Sequence, residues 1–369
     1  MKAMVVTGYE SPLQAAELPQ PALAPGHALL EVLTCGVCFS DVKIARGRMP
    51  FSGALSLPHV PGHEICARVV ETDPPGALEP GALVVVHIVT PCGRCDRCRA
   101  GDEHICRSPV ARAGFTDPGG LQERMVVPLD RLLAVPDGID PAHAAPMTCA
   151  LGTAYRAVVT RGRVTAGTRV AVIGIGGVGI HALQVAHAAG GLAVGLDRSA
   201  AALDAARGLG LDARDAGDPA VVPALLDESG ARGYDVVVDT VGRPATLQAA
   251  ATLLRPGGRI VVVGYAVDQA IELDSARLVL EEVEVVGSRY ARRSEMEQAI
   301  RLVADGRVRM VVDRVFDLQD ADQAFAALEA GEVVGRLVVQ VAQAQDPGEP
   351  TAEGAAANGA ASRTAGGVS

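Results

Sequence analysis

The sequence predicts an α/β chain with two units, a β-rich one followed by a doubly wound parallel sheet. Three observations carry that expectation. With 369 residues the chain is long enough to bury two cores. Its first 145 or so positions are rich in Pro, Gly and Val and hold short strand-like runs such as 28–34 and 83–89, a pattern of strands joined by irregular loops. From about residue 148 apolar runs alternate with Ala-rich helical stretches, as βαβ units require.

Taken in order, strands are expected over 169–174, 192–197, 235–240, 259–264 and 283–288, with helices over 177–189, 200–209 and 244–254. Pro256-Gly257-Gly258 reads as a turn feeding the buried run Ile260-Val261-Val262-Val263. Beyond Ser294 a helix, a strand and another helix end in Gly335-Arg336-Leu337-Val338-Val339. This piece lacks a βα partner, so it is expected to return to the first unit. The domains are therefore drawn at 1–147, 148–289 and 290–342, the last rejoining the first. Residues 343–369, almost without large apolar side chains, read as a disordered tail.

Composition narrows the function. No apolar run approaches the ~20 residues of a membrane helix. Met1 to Val6 is too short and too β-like for a signal peptide, so a cytoplasmic protein is expected. The balance of 33 basic against 43 acidic residues disfavours nucleic acid or an anionic membrane as partner. Eight cysteines point to metal or catalysis before disulfides.

Cys92, Cys95, Cys98 and Cys106 are spaced C-x2-C-x2-C-x7-C. Tetrahedral zinc takes four thiolates at ~2.3 Å, and four cysteines leave no position for water or substrate. Such a site is structural. An iron–sulfur cluster is the rival ligand for the same thiolates. A nucleic-acid zinc ribbon would place a second Cys pair farther away in basic surroundings, against the acidic balance of this chain.

A second metal set must be gathered from distant segments. Cys38 lies in Cys35-Gly36-Val37-Cys38-Phe39-Ser40-Asp41, His63 in Pro61-Gly62-His63-Glu64, and Cys149 in Pro146-Met147-Thr148-Cys149. Two cysteines and a histidine fill three positions and leave the fourth open, the arrangement of a catalytic zinc.

The apolar run Val170-Ala171-Val172-Ile173 enters Gly174-Ile175-Gly176-Gly177-Val178-Gly179 and then a helix. A second strand ends in Asp197, 23 residues after Gly174. In that context the glycines read as a dinucleotide loop, bringing a pyrophosphate to a helix N-terminus. Asp197 is expected to bond the ribose hydroxyls of NAD and repel the 2′-phosphate of NADP; Arg198 beside it could offset part of that repulsion.

Together these motifs resemble the zinc-containing medium-chain dehydrogenase/reductase family, the zinc-dependent alcohol dehydrogenases, from Met1 to about Val341. The resemblance implies a GroES-like catalytic domain and a Rossmann cofactor domain, with two zinc ions and NAD. It makes Cys38, His63 and Cys149 the catalytic zinc ligands, the family placing Ser or Thr two residues after the first ligand and Asp three after it. Cys35 and Cys66 then remain as buried thiols. Glu64 becomes a carboxylate able to approach the metal, Asp41 the residue that orients a ligand, and Ser40 the start of a proton relay. Thr153 and Val178 are placed against the nicotinamide, Val263 among the cofactor-binding residues, and Arg336 at the pyrophosphate.

The implied reaction moves a hydride between a primary or secondary alcohol and NAD, giving an aldehyde or ketone. Two family features are absent. Lys43 stands where many members have the relay His, and Phe39 where many have a basic residue. The short 106–149 segment resembles the microbial tetrameric branch, so a homotetramer is expected, ahead of a dimer. The substrate pocket is expected to draw on residues 49–57, Ile88 and Tyr265, largely apolar and without a cationic cluster, which favours a hydrophobic alcohol. An NADP-linked carbonyl or cinnamyl-type reductase, a polyol dehydrogenase and a non-catalytic zinc or nucleotide scaffold are the competing readings.

Overall fold

The computed structural model describes residues 1–266, 269–331 and 333–342; the tail expected over 343–369 lies outside them. Two sheets dominate. The second unit holds six strands, all parallel, in the order Asp212–Asp215, Leu192–Asp197, Arg169–Ile173, Tyr234–Asp239, Leu254–Val262, Glu284–Gly287. Strand order reverses beside Arg169–Ile173, so a crevice opens at the carboxyl ends of that strand and Tyr234–Asp239. Val170, Ala171 and Val172 are fully buried, as a sheet covered on both faces demands.

The predicted α/β class is borne out. The strand Asp212–Asp215 and helix Val221–Glu228 were not expected. The strand is short and polar, and the helix, though its first six residues are apolar, buries only Leu225 fully. The expected Pro256–Gly258 turn lies within an extended stretch, Leu254–Val262, that carries a register shift opposite Tyr234 and Val236.

In the first unit a seven-stranded sheet centres on His27–Val37 and Glu64–Thr72, which pair antiparallel. The strand Arg336–Gln340 pairs antiparallel with His27–Val37, setting Leu337 opposite Val37. This pairing carries Arg336 back to the start of the helix Phe39–Ala45. One apolar core lies within this sheet, built from residues such as Leu30, Val32, Ile65 and Val339. Another joins Leu151, Ala154 and Val158 to Val172, Leu183 and Met296, so the junction of the two sheets is packed apolar matter. No helix among the described residues is long and apolar enough to cross a membrane.

Candidate active site

Each potential metal ligand sits where a backbone element ends. Cys38 is the N-cap of Phe39–Ala45 and Glu64 opens the strand Glu64–Thr72, with His63 just before it. Cys149 precedes the helix Ala150–Tyr155. One donor atom from each of Cys38, His63, Glu64 and Cys149 lies within 4.8 Å of the others. His63 Nε2 is 3.3 Å from Cys149 Sγ, while its Nδ1 lies 2.7 Å from Asp41 Oδ1. Asp41 is wholly buried and also accepts from the backbone N–H groups of Cys38, at 2.9 Å, and Gly62, at 3.2 Å. One carboxylate thus fixes the ring orientation and two stretches of ligand-bearing backbone.

The charges suit a cation. Burial opposes protonation of His63, but the adjoining Asp41 carboxylate and Cys38 thiolate hold its pKa well above the usual value. Cys38 is held well below the ordinary thiol range, first by its contact with Cys149 and further by Arg336. Burial lifts Glu64 to about 7 against the pull of Arg336. Arg336 Nε lies 3.0 and 3.2 Å from the two Glu64 carboxylate oxygens, and its Nη2 is 3.7 Å from Cys38 Sγ.

The same guanidinium reaches the glycine loop. A Cβ added at Gly177 would fall 1.8 Å from Arg336 Nη1, and one at Gly179 would fall 1.7 Å from the Gly174 carbonyl oxygen. Both positions therefore admit only glycine. Asp197 is tied to this loop, accepting from Ile175 N–H at 2.7 Å and Ser199 N–H at 2.9 Å, whereas Arg198 is exposed.

Four thiols form the second cluster. Sulfur–sulfur separations are 3.4 Å for Cys95–Cys98, 3.5 Å for Cys92–Cys106, and 3.9 Å for both Cys92–Cys98 and Cys95–Cys106. A tetrahedron of ~2.3 Å bonds has edges of about 3.8 Å, so the cage fits a single ion without rearrangement. Backbone N–H groups lower Cys95 to about 6. Burial and crowding against its neighbours push Cys98 up to about 12. Four thiols this close cannot all ionise without a shared cation.

Two connected spaces flank the Cys38–His63–Cys149 cluster. A cavity of about 490 Å³ is lined by these three residues together with Ser40, Thr153, Val178 and Val263. A groove of about 810 Å³ runs past Ser40, Lys43, Val178, Thr240, Arg243 and Val263. Ser40 and the glycine-loop residue Val178 face both. Lys43 Nζ donates to the Tyr265 carbonyl at 3.2 Å and stands 3.8 Å above its ring centroid.

Of the expected substrate pocket, Met49, Pro50, Phe51, Ile88 and Tyr265 do line the cavity; residues 52–57 are not part of that lining. The expectation that it has no cationic cluster is corrected, because Arg112 and Arg289 line it too, with His104, Ser288 and Tyr290. These residues come from the cysteine loop and from the turn after the last parallel strand. Sequence reasoning missed them because neither segment adjoins the Cys38, His63 or Cys149 motifs that mark the cavity. The clustering of Arg99, Arg107 and Arg112 after the thiols was the one available signal.

Comparison with known proteins agrees with this geometry. The chain matches the alcohol dehydrogenase GroES-like domain over residues 24–137 and the zinc-binding dehydrogenase domain over residues 177–305. An alcohol dehydrogenase from Geobacillus stearothermophilus is 32% identical over 346 residues, 92% of this chain and 99% of the relative. The structure of an NAD-dependent alcohol dehydrogenase superposes with a TM-score of 0.86 at 28% identity, covering 93% of this chain and all of the other. A zinc-binding dehydrogenase from Sinorhizobium meliloti bound to NADP superposes with a TM-score of 0.84 at 26% identity, covering 92% and 99%.

Proposed function

Because this chain belongs to the zinc-containing medium-chain dehydrogenase/reductase family, we propose that it is an NAD-dependent alcohol dehydrogenase with two zinc ions per chain. The observation that carries the reading is the meeting of Cys38, His63 and Cys149 with Ser40 and Val178 around one cavity. Cys38, His63 and Cys149 would hold the catalytic ion, with Glu64 close enough to enter its coordination; Cys92, Cys95, Cys98 and Cys106 would hold the structural one. Gly174, Gly176, Gly177 and Gly179 would receive the pyrophosphate, helped by Arg336, and Thr153, Val178 and Val263 would face the nicotinamide.

Bound there, zinc supplies Lewis-acid polarisation of a substrate oxygen and the nicotinamide supplies the hydride acceptor. The rest falls to the chain. Ser40 Oγ takes the substrate hydroxyl proton at the mouth shared by cavity and groove. Asp41 keeps His63 Nε2 turned toward the cluster by holding Nδ1. The apolar wall of buried Ile88 and half-buried Phe51 and Val178 keeps water from the reacting carbon. Thiolate ligands suit a compartment that keeps cysteines reduced, in agreement with a cytoplasmic enzyme. A panel of primary and secondary alcohols assayed by NADH formation, with zinc counted alongside, tests the whole reading. A zinc-free protein inert toward every alcohol would overturn it.

NADP use is the second reading, favoured by Arg198, which is exposed beside Asp197 and has no ion-pair partner among the described residues. Under the first reading Asp197→Ser lowers kcat/KM for NAD by about 10- to 100-fold, the range of a lost hydrogen bond to a charged group. The ratio of NAD to NADP efficiency should fall with it. A wild-type enzyme that prefers NADP would transfer the assignment to Arg198.

We also propose a homo-oligomer, with a tetramer preferred. Glu284–Gly287 is an edge strand, an open row of hydrogen-bonding groups that proteins normally cover. Beside it the helix Ser275–Leu280 exposes Val279 at 74% and Leu280 at 83%. Val279→Glu with Leu280→Glu should therefore reduce the mass seen by light scattering after size exclusion. An unchanged mass would place the contact elsewhere.

A further inference from the structure

Four buried side-chain polar atoms lack a hydrogen-bond partner among the described residues, namely His104 Nδ1, Arg112 Nε, Arg156 Nε and Ser288 Oγ. Three of these four residues line the single cavity beside Cys38, His63 and Cys149. Buried polar groups are normally satisfied, so three residues with an unsatisfied atom around one space mark a polar wall where packing alone would favour an apolar one. His104 is 2% exposed and Ser288 9%, so bulk solvent does not serve them.

Water could serve a hydroxyl or a ring nitrogen, but it does not neutralise charge. Arg112 and Arg289 line the same cavity and repel each other, and neither forms an ion pair among the described residues. The nearest carboxylate in sequence, Asp117, is engaged by the backbone N–H of Arg112 at 2.7 Å and the Thr116 hydroxyl at 2.7 Å. In a chain where acidic residues outnumber basic ones, two guanidiniums without a carboxylate partner among the described residues border one cavity, with the Cys106 sulfur alone drawing on Arg112. The turn that presents Ser288 and Arg289 is rigidly held. Ser288 N–H donates to the Val262 carbonyl at 2.8 Å, and the next residue, Tyr290, is buried at φ +49° with its hydroxyl accepting from Ile88 N–H at 3.1 Å. A left-handed tyrosine persists only where the surroundings enforce it.

We propose that Arg112, Arg289, Ser288 and His104 form an anion subsite in the substrate cavity, and that the physiological alcohol or carbonyl compound carries a carboxylate or phosphate away from its reacting carbon. The proposal rests on the dehydrogenase reading given above. Guanidinium and hydroxyl donors match either oxyanion, and the apolar wall between subsite and cluster takes the connecting carbons.

The test compares 4-hydroxybutanoate and 6-hydroxyhexanoate with their methyl esters, and with 6-hydroxyhexyl phosphate, in wild-type enzyme, Arg289→Gln and Arg112→Gln. Arg289 is exposed, so its variant keeps the fold even if the Arg112 variant does not. The wild type should favour an anionic substrate over its ester by tenfold or more in kcat/KM. Each variant should lower that ratio about 10- to 100-fold, as loss of a charge-assisted hydrogen bond implies. Whether the carboxylates or the phosphate lead identifies the natural anion. Calorimetric binding of hexanoate, weakened in Arg289→Gln, is the readout independent of turnover. Esters oxidised as well as acids, with a ratio unmoved in both variants, overturn the subsite and leave the dehydrogenase standing. Hexanoate bound through Arg289 by a protein that oxidises no alcohol leaves the subsite and overturns the dehydrogenase. Neither binding nor turnover overturns both.

Discussion

Cys38→Ala is expected to cut the zinc content from two ions per chain to one and to lower kcat for alcohol oxidation by about 10³-fold or more. The size follows from the chemistry assigned to the open cluster. Lewis-acid polarisation is worth several kcal/mol in the transition state, and each 1.36 kcal/mol is a factor of ten in rate. Cys38 is the ligand most committed to the thiolate form, being in contact with Cys149 and Arg336. Its removal leaves His63, Cys149 and the arginine-paired Glu64. The matched variant Cys98→Ser removes a corner of the closed cage instead, and should forfeit the other zinc with thermal stability as the first casualty. Plasma emission spectrometry on both variants, with turnover measured at 25 °C, separates the two sites. Two zinc ions retained by Cys38→Ala, or full turnover, would sink the open-site assignment.

Glu295→Gln should lower the melting temperature by about 5 °C. Glu295 lies on the helix Arg293–Ala304 and meets Arg156 Nη1 at 2.7 and 2.9 Å, both side chains buried. Thr160 Oγ1 donates to it at 2.7 Å and Arg292 N–H at 2.8 Å. Removing one member of a buried pair leaves Arg156 only its longer contact with Asp102, at 3.9 Å, and such a loss costs about 3–5 kcal/mol. In a chain of 369 residues, at about 2.1 cal/mol/K of unfolding entropy per residue, each kcal/mol corresponds to roughly 1.3 °C. Burial works against the Glu295 charge, but the Arg292 N–H and Arg156 prevail and depress its pKa. A depressed carboxylate contributes fully above the ordinary range near ~4.3. The difference between wild type and variant should therefore shrink as pH falls through the lowered folded value. Scanning calorimetry at neutral and acid pH measures both, and a shift below about 2 °C at neutral pH would deny the pair its role. Replacing both partners by apolar residues should cost less than either single change.

The parallel sheet and the glycine loop were legible because buried parallel strands must be continuously apolar and the loop must be glycine. Val170 to Gly179 satisfies both constraints on its face. The ligand motifs were legible for a different reason, since their residue types are rare and chemically committed. What escaped was whatever depends on contacts distant in sequence. Nothing near Arg336 announces that it grips Glu64, because the partners are 272 residues apart and meet only through the antiparallel pairing of Leu337 with Val37. The polar lining of the cavity escaped likewise. Arg112 and Arg289 read as solvated charges until two loops from different units are brought together. Strand Asp212–Asp215 was missed because an edge strand of Asp-Ala-Arg-Asp has no periodic signal to read.

The cysteine cage has a consequence for how this enzyme can diversify. His104 sits between the third and fourth thiols in sequence, and Arg112 six residues beyond the fourth, so the segment that wraps the closed cage also furnishes part of the cavity wall. An insertion or exchange there would be anchored at the four clustered thiols, and would leave the sheets, the open cluster and the glycine loop untouched. Substrate preference in this scaffold can thus be inherited as a cassette, grafted whole between relatives, its ends gathered by its own four-thiol cage.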